Sequence, residues 1–177
     1  MSAVGPKVPR VAPVEASEVD AETKELLDAL GDPGRSNLVR TLARHPRIFK
    51  RWVRYHEALT HGTLGDRHRE LLILRAAYRA GCDQEWTQHQ QVASRIGLRP
   101  EEVSRTREAL DPSTWSPVEA ALLRAVDELV DHASISDATW QQLAAHYEEA
   151  QLIEIPMVVG FFFSMGVGIN TWGTQEP

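Results

Sequence analysis

Helix boundaries recur along this chain at short, regular intervals, while no segment alternates apolar and polar residues long enough to build a sheet. Ser17 is a candidate cap for a helix from about Glu18 to Leu30, stopped by Gly31. Gly31-Asp-Pro-Gly-Arg-Ser is a turn, and Ser36 opens a short helix that ends before Pro46. Pro46 suits the first turn of a helix carrying Phe49, Trp52 and Val53, which stops at Gly62. Asp66 caps an apolar helix ended by Gly81, and another runs from about Asp83 to Ile96. Gly97 and Leu98 then form a glycine stop with its hydrophobic follow-on. Pro100 starts a short helix to Leu110, and Ser116-Pro-Val-Glu119 joins a capping box to a first-turn proline. Ser136 caps the next helix, and a long final one carries Leu152 to Ile169. The expected fold class is all-α: residues 1–16, with Pro6, Pro9 and Pro13, as an extended arm, then one helical domain over 17–177.

Composition narrows the functions open to such a bundle. At 177 residues, 42% hydrophobic and 25% charged, the chain can bury a real core. A net charge of −6 argues against nucleic acid as a partner, since neutralising phosphates needs a basic surface. Cys82 is the single cysteine, which excludes an intrachain disulfide and a Cys-x-x-Cys motif and fits a reducing compartment. The first residues lack the basic-then-apolar run of a secretory signal. The most apolar stretch, Ile155 to Ile169, is shorter than the roughly 20 residues of a membrane span. A cytoplasmic protein without a membrane partner is expected.

The chemistry-bearing residues gather where two helices meet. Glu85, His89, Val92 and Ile96 follow one another at spacings of four, three and four, which places them on one helical stripe. Two of the four are hydrophobic, so the stripe is expected to face a core or a subunit interface. Cys82 lies three residues before Glu85, at the start of the same helix. A carboxylate and an imidazole one turn apart in low-dielectric surroundings can share a proton, which is how general acid–base pairs arise. A hydrogen bond that only satisfies the core would show the same spacing. Trp86 points to another face and is read as packing.

The segments Arg69-Glu70-Leu-Leu-Ile-Leu-Arg75 and Gly81-Cys82-Asp-Gln-Glu85-Trp86-Thr-Gln-His89 resemble the carboxymuconolactone decarboxylase family, kin of the AhpD-type alkylhydroperoxidases. Asn37 to Pro46, Ala133 to Trp140 and Glu149 to Glu154 resemble it too, so the likeness spans roughly residues 35 to 170. It implies an AhpD-like helical bundle, a homo-oligomer (a trimer or hexamer) and a site built from Glu70, Cys82, Glu85 and His89. Redox members carry a second cysteine where this chain has Glu85, so a peroxide cycle through an internal disulfide cannot run. Members of the Glu-Trp type often carry Tyr before that Glu and a Tyr-His pair in the last helix. Gln84, Phe162 and Phe163 stand there instead.

In the family's namesake reaction a carboxylate leaves a carbon conjugated to a lactone carbonyl, and the resulting dienolate is protonated. That chemistry requires no metal or organic cofactor. His89 is then the candidate proton donor, Glu85 sets its tautomer or acts as the acid, and Glu70 orients His89 or holds a water. Three readings follow: a cofactor-independent lyase or isomerase acting on a small unsaturated carboxylic acid or lactone; a one-cysteine thiol redox protein using Cys82; and a non-catalytic binding member. Glu70, Glu85 and His89 could also offer oxygen and nitrogen ligands to a divalent ion, but no second histidine stands at ligand spacing, and His68 is expected on an exposed first turn. The stripe Arg47, Lys50, Arg51 and Arg54 reads as a solvated face, and Phe161, Phe162, Phe163, Met157 and Met165 as packing.

Overall fold

The computed structural model describes residues 5, 6 and 8–175, and among them there are nine α-helices and no strand. The helices are α1 (Ala21–Ala29), α2 (Asn37–Leu42), α3 (Pro46–Thr60), α4 (Asp66–Arg79), α5 (Asp83–Arg95), α6 (Pro100–Arg105), α7 (Pro117–His132), α8 (Asp137–Ala144) and α9 (Glu149–Trp172). The all-α expectation holds. Ser36, Ser116 and Ser136 each accept a hydrogen bond from the third helical amide, as caps should. Three boundaries differ from the sequence reading. Asp20 rather than Ser17 caps α1, because its carboxylate reaches the amide of Thr23 at 2.7 Å. Asp66 is the first residue of α4 and Gly65 stands at its cap. Helix α6 ends at Arg105, well before Leu110.

The chain divides into two compact units, and the first, Gly62–Val167, holds the candidate site. Its core joins Leu71, Leu74 and Ala77 of α4, Trp86 and Ala93 of α5, and Ala120 and Leu123 of α7, with Leu98, Val103 and Trp115 between them. Trp86 packs as expected, and its indole N–H donates to Thr106 Oγ1 at 3.1 Å. Two polar ties pin α4. At its start, Arg67 donates to Glu119 and Glu102, each at 2.7 Å, which holds the Glu102 carboxyl down to about 2. Further along, the buried Arg75 guanidinium pairs with both oxygens of Asp127, at 2.9 and 2.8 Å. It also donates to the carbonyls of Thr106 and Glu108. The Glu154 carboxylate of α9 receives the amide and hydroxyl of Thr63, both at 2.7 Å, just ahead of α4. A Cβ at Gly62 would collide with that carboxylate, so a side chain there would have to push Glu154 off its Thr63 partners.

The turn from α4 to α5 fixes the site. Gly81 sits at φ 64, a left-handed conformation that glycine adopts without a Cβ penalty. Its amide donates to Tyr78 O at 2.9 Å and that of Cys82 to Ala77 O at 3.0 Å, closing a two-bond helix stop. Gly97, at φ 86, ends α5 in the same way, with Leu98 buried behind it.

The second unit comprises the described residues up to His61 together with those from Gly168. Helices α1, α2 and α3 pack together there. Of the predicted arm, residues 1–4 and Lys7 lie outside the described residues. The rest lies along its own unit: Arg10 N–H donates to Trp172 O, Val14 N–H to Arg40 O, and Arg44 Nε to Ala12 O. A cavity of about 440 Å³ in this unit is lined by residues including Val14, Leu27, Gly34 and Arg40, and none of the candidate site residues borders it. Arg47, Arg51 and Arg54 are exposed, whereas Lys50 pairs with Glu22.

Helix α9 is longer than the sequence suggested. It continues past Pro156, and over its 24 residues it is long and apolar enough to cross a membrane, with half of its apolar window buried inside the fold.

Candidate active site

Glu70 on α4 and Glu85 and His89 on α5 come together as the sequence reading placed them. Both carboxylates are about as buried as core leucines, at 3% exposure, while the His89 side chain keeps 16%. His89 Nδ1 lies 2.7 Å from Glu70 Oε1, a hydrogen bond in which the imidazole donates to the carboxylate. His89 Nε2 lies 3.6 Å from Glu85 Oε1, beyond a direct hydrogen bond. It is therefore Glu70, not Glu85, that sits where the ring tautomer is set. The Phe162 ring meets His89 edge-on, with centroids 5.1 Å apart and planes at 84°. Phe162 is buried, so an apolar wall stands at one side of the imidazole.

The electrostatics follow from burial and from the three groups themselves. Burial pushes the Glu85 carboxyl up, His89 opposes this, and the charge of Glu70 reinforces it, so the net direction is up. Burial alone would push His89 down. The Glu70 hydrogen bond and the charges of Glu70 and Glu85 outweigh it, and the imidazole ends above its ordinary value. Both groups hold a proton more tightly folded than unfolded. Their contributions to stability are thus fully present below the unfolded values, near 4.5 for Glu85 and 6.5 for His89, and are lost as pH rises through the folded ones. Glu102 runs the other way, its contribution being lost as pH falls from 4.5 towards about 2. Glu85→Gln is therefore expected to gain on the wild type as pH rises, with the two closest at acid pH. Urea midpoints at about pH 4 and about pH 8 check this. A difference that stays constant with pH would show that Glu85 does not titrate in this range.

Cys82 stands at the N-cap of α5, three residues before Glu85, at 1% exposure. Burial pushes its thiol up to about 11; the amide of Glu85 pulls the other way and its carboxylate adds to the push. Such a thiol is protonated and poorly nucleophilic at neutral pH. Helix α9 presses on it at Gly166, where a Cβ would lie 2.7 Å from the Ala80 Cβ and 3.1 Å from the Cys82 Cβ.

Other sequence expectations are corrected here. The Glu85–His89 stripe is buried only at its start: Val92 is half-buried and Ile96 exposed, because the side of α5 that faces the core carries Trp86 and Ala93 instead. His68 is half-buried rather than exposed, with Nδ1 2.8 Å from the Tyr147 hydroxyl. Among the described residues no group of three or more His, Cys, Asp or Glu is arranged to hold a metal ion. Sequence reasoning missed Glu154 as a positioning residue, since it has no local spacing that would reveal it, whereas the last-helix glycines, Gly166 among them, are expected from sequence to permit close helix approach, as Gly166 does here.

The helical fold is AhpD-like, and solved structures bear this out. A peroxidase-related protein with an alkylhydroperoxidase AhpD core from Ralstonia eutropha JMP134 superimposes with a TM-score of 0.82 at 18% identity, covering 98% of this chain and 94% of that one. The debrominase Bmp8 gives 0.77 at 15%, covering 94% and 91%. A peroxidase-related protein from Silicibacter sp. TM1040 gives 0.78 at 13%, covering 97% and 95%. At these identities the likeness establishes the fold alone. Within that class, residues 46–128 match the carboxymuconolactone decarboxylase family, a span that contains Glu70, Cys82, Glu85 and His89. The resemblance read from the sequence therefore holds. The sequence matches no curated protein.

Proposed function

We propose that the chain is a cofactor-independent lyase or isomerase acting on a small unsaturated carboxylic acid or lactone, with Glu70, Glu85 and His89 as its acid–base site. The observation that carries this reading is the 2.7 Å Glu70–His89 hydrogen bond, which leaves Nε2 and the Glu85 carboxyl facing one another across 3.6 Å. Glu70 fixes the ring, Nε2 moves the proton, and Glu85 donates to the oxygen on which charge develops. Phe162 helps keep water from the intermediate.

The peroxidase-related and debrominase neighbours favour a second reading, thiol chemistry at Cys82. One assay separates the two: turnover of unsaturated acids and lactones, without added metal or thiol, by wild type, His89→Gln and Cys82→Ser. The acid–base reading expects loss in His89→Gln and survival in Cys82→Ser. The opposite pattern would move the chemistry to the sulfur.

A homo-oligomer is also proposed. Ile153, at 67% exposure, and Met157, Gly160, Ser164 and Val167 form an exposed, largely apolar stripe along α9, at spacings of four, three, four and three. Light scattering is expected to give a mass above 19.8 kDa that falls towards that value in Met157→Glu. A monomeric wild type would refute it.

A further inference from the structure

The acid–base reading leaves two substrate classes open, and the charges around the site choose between them. Among the described residues, the groups whose charges act on Glu85 and His89 are these two and Glu70. His89 supplies the one potential positive charge, and Glu70 is already its counter-ion at 2.7 Å. The guanidinium groups on the same two helices are committed elsewhere or face water. Arg67 pairs with Glu102 and Glu119, and Arg69 with Asp66 and the Leu64 carbonyl. Arg75 and Arg79 both pair with Asp127, and Arg95 is exposed. A substrate carboxylate brought against the buried Glu70 carboxylate, the Glu85 carboxyl and the Phe162 ring would have no cation to compensate it, and an uncompensated buried charge is strongly disfavoured.

Resting on the acid–base reading, we propose that the substrate is a neutral unsaturated lactone whose carbonyl oxygen accepts from the Glu85 carboxyl while the neighbouring carbon faces His89 Nε2, and that the reaction is a proton shift, an isomerisation, rather than loss of CO₂. Glu85 Oε1 and His89 Nε2, 3.6 Å apart, are close enough to serve the oxygen and the adjacent carbon of one carbonyl group. The step balances within the substrate. His89 Nε2 takes a proton from the carbon between the carbonyl and the double bond. The C–H electron pair becomes a new carbon–carbon double bond as the carbonyl oxygen takes the negative charge, and Glu85 donates a hydrogen bond to it. His89 then returns the proton to the far carbon of the dienolate. The double bond ends in conjugation with the carbonyl, and nothing is gained or lost.

The experiment is a binding titration of the wild type, read at the ring signals of ¹⁵N-labelled His89 by NMR. Its ligands are a matched pair: a saturated γ-lactone bearing a carboxylate, and its methyl ester. Saturated rings cannot turn over, so the result is independent of whether catalysis is ever observed. The ester is expected to bind about tenfold more tightly or better, and Glu70→Gln to narrow that preference by removing the fixed negative charge. Equal or tighter binding of the acid, or His89 signals unmoved by either ligand, would overturn the proposal. Turnover lost in His89→Gln alongside a preference for the acid would leave the acid–base site standing and refute only the neutral-substrate inference.

Discussion

Replacing His89 with Gln is expected to lower turnover by a factor on the order of 10²–10⁴. Gln is the informative choice because its amide can still donate to Glu70 and fill much of the space beside Phe162, so the carboxylate keeps a partner. What it cannot do is carry a proton. The loss should therefore fall on kcat, with KM nearly unchanged, since the imidazole acts most strongly where charge moves. Far-ultraviolet circular dichroism and the urea midpoint serve as controls. A variant that is folded and fully active would remove His89 from the mechanism.

The largest expected loss of stability lies away from the site. Arg75→Met keeps the length of the side chain and its apolar stem but deletes the guanidinium that pairs with Asp127 and holds the carbonyls of Thr106 and Glu108. Breaking such a buried pair by removing one partner costs about 3–5 kcal/mol. Arg79 also reaches Asp127, which offsets part of the loss at that carboxylate, but the two carbonyls keep no substitute donor from this side chain. The expected loss is thus at the lower end, about 3 kcal/mol, read as a shift of the urea midpoint. A double substitution with Asp127→Asn should be less destabilising than the sum of the two singles. Additive effects would mean that the pair contributes no coupling energy.

The contrast between these two residues shows what the sequence could and could not reveal. His89, Glu85 and Cys82 share one helix, and Glu70 lies on the helix just before it, so spacing and a known pattern were enough to bring them together. Arg75 and Asp127 are 52 residues apart and each looks, alone, like a surface charge; nothing local marks them as partners. The same holds for Glu154, named in the sequence only as the end of a segment that resembles the family, until its carboxylate is seen under Thr63. Helix starts were legible wherever a serine capped a proline or an apolar run. They slipped by a few residues where two candidate caps competed, as with Ser17 and Asp20. The burial of His68 was missed for the same reason as the ion pairs, because its covering residue, Tyr147, comes 79 positions later.

The Gly81–Cys82 stop between α4 and α5 bears on how the protein reaches its native state. Glu70 and His89 are separated by only 19 residues, and the two helices that carry them are consecutive. Little loop-closure entropy is lost in bringing these helices together, so their pairing can precede the distant contacts of α7 and α9. The acid–base pair is then framed by the most local part of the fold. The phenylalanine wall, which comes from the far end of the chain, is the part that must wait.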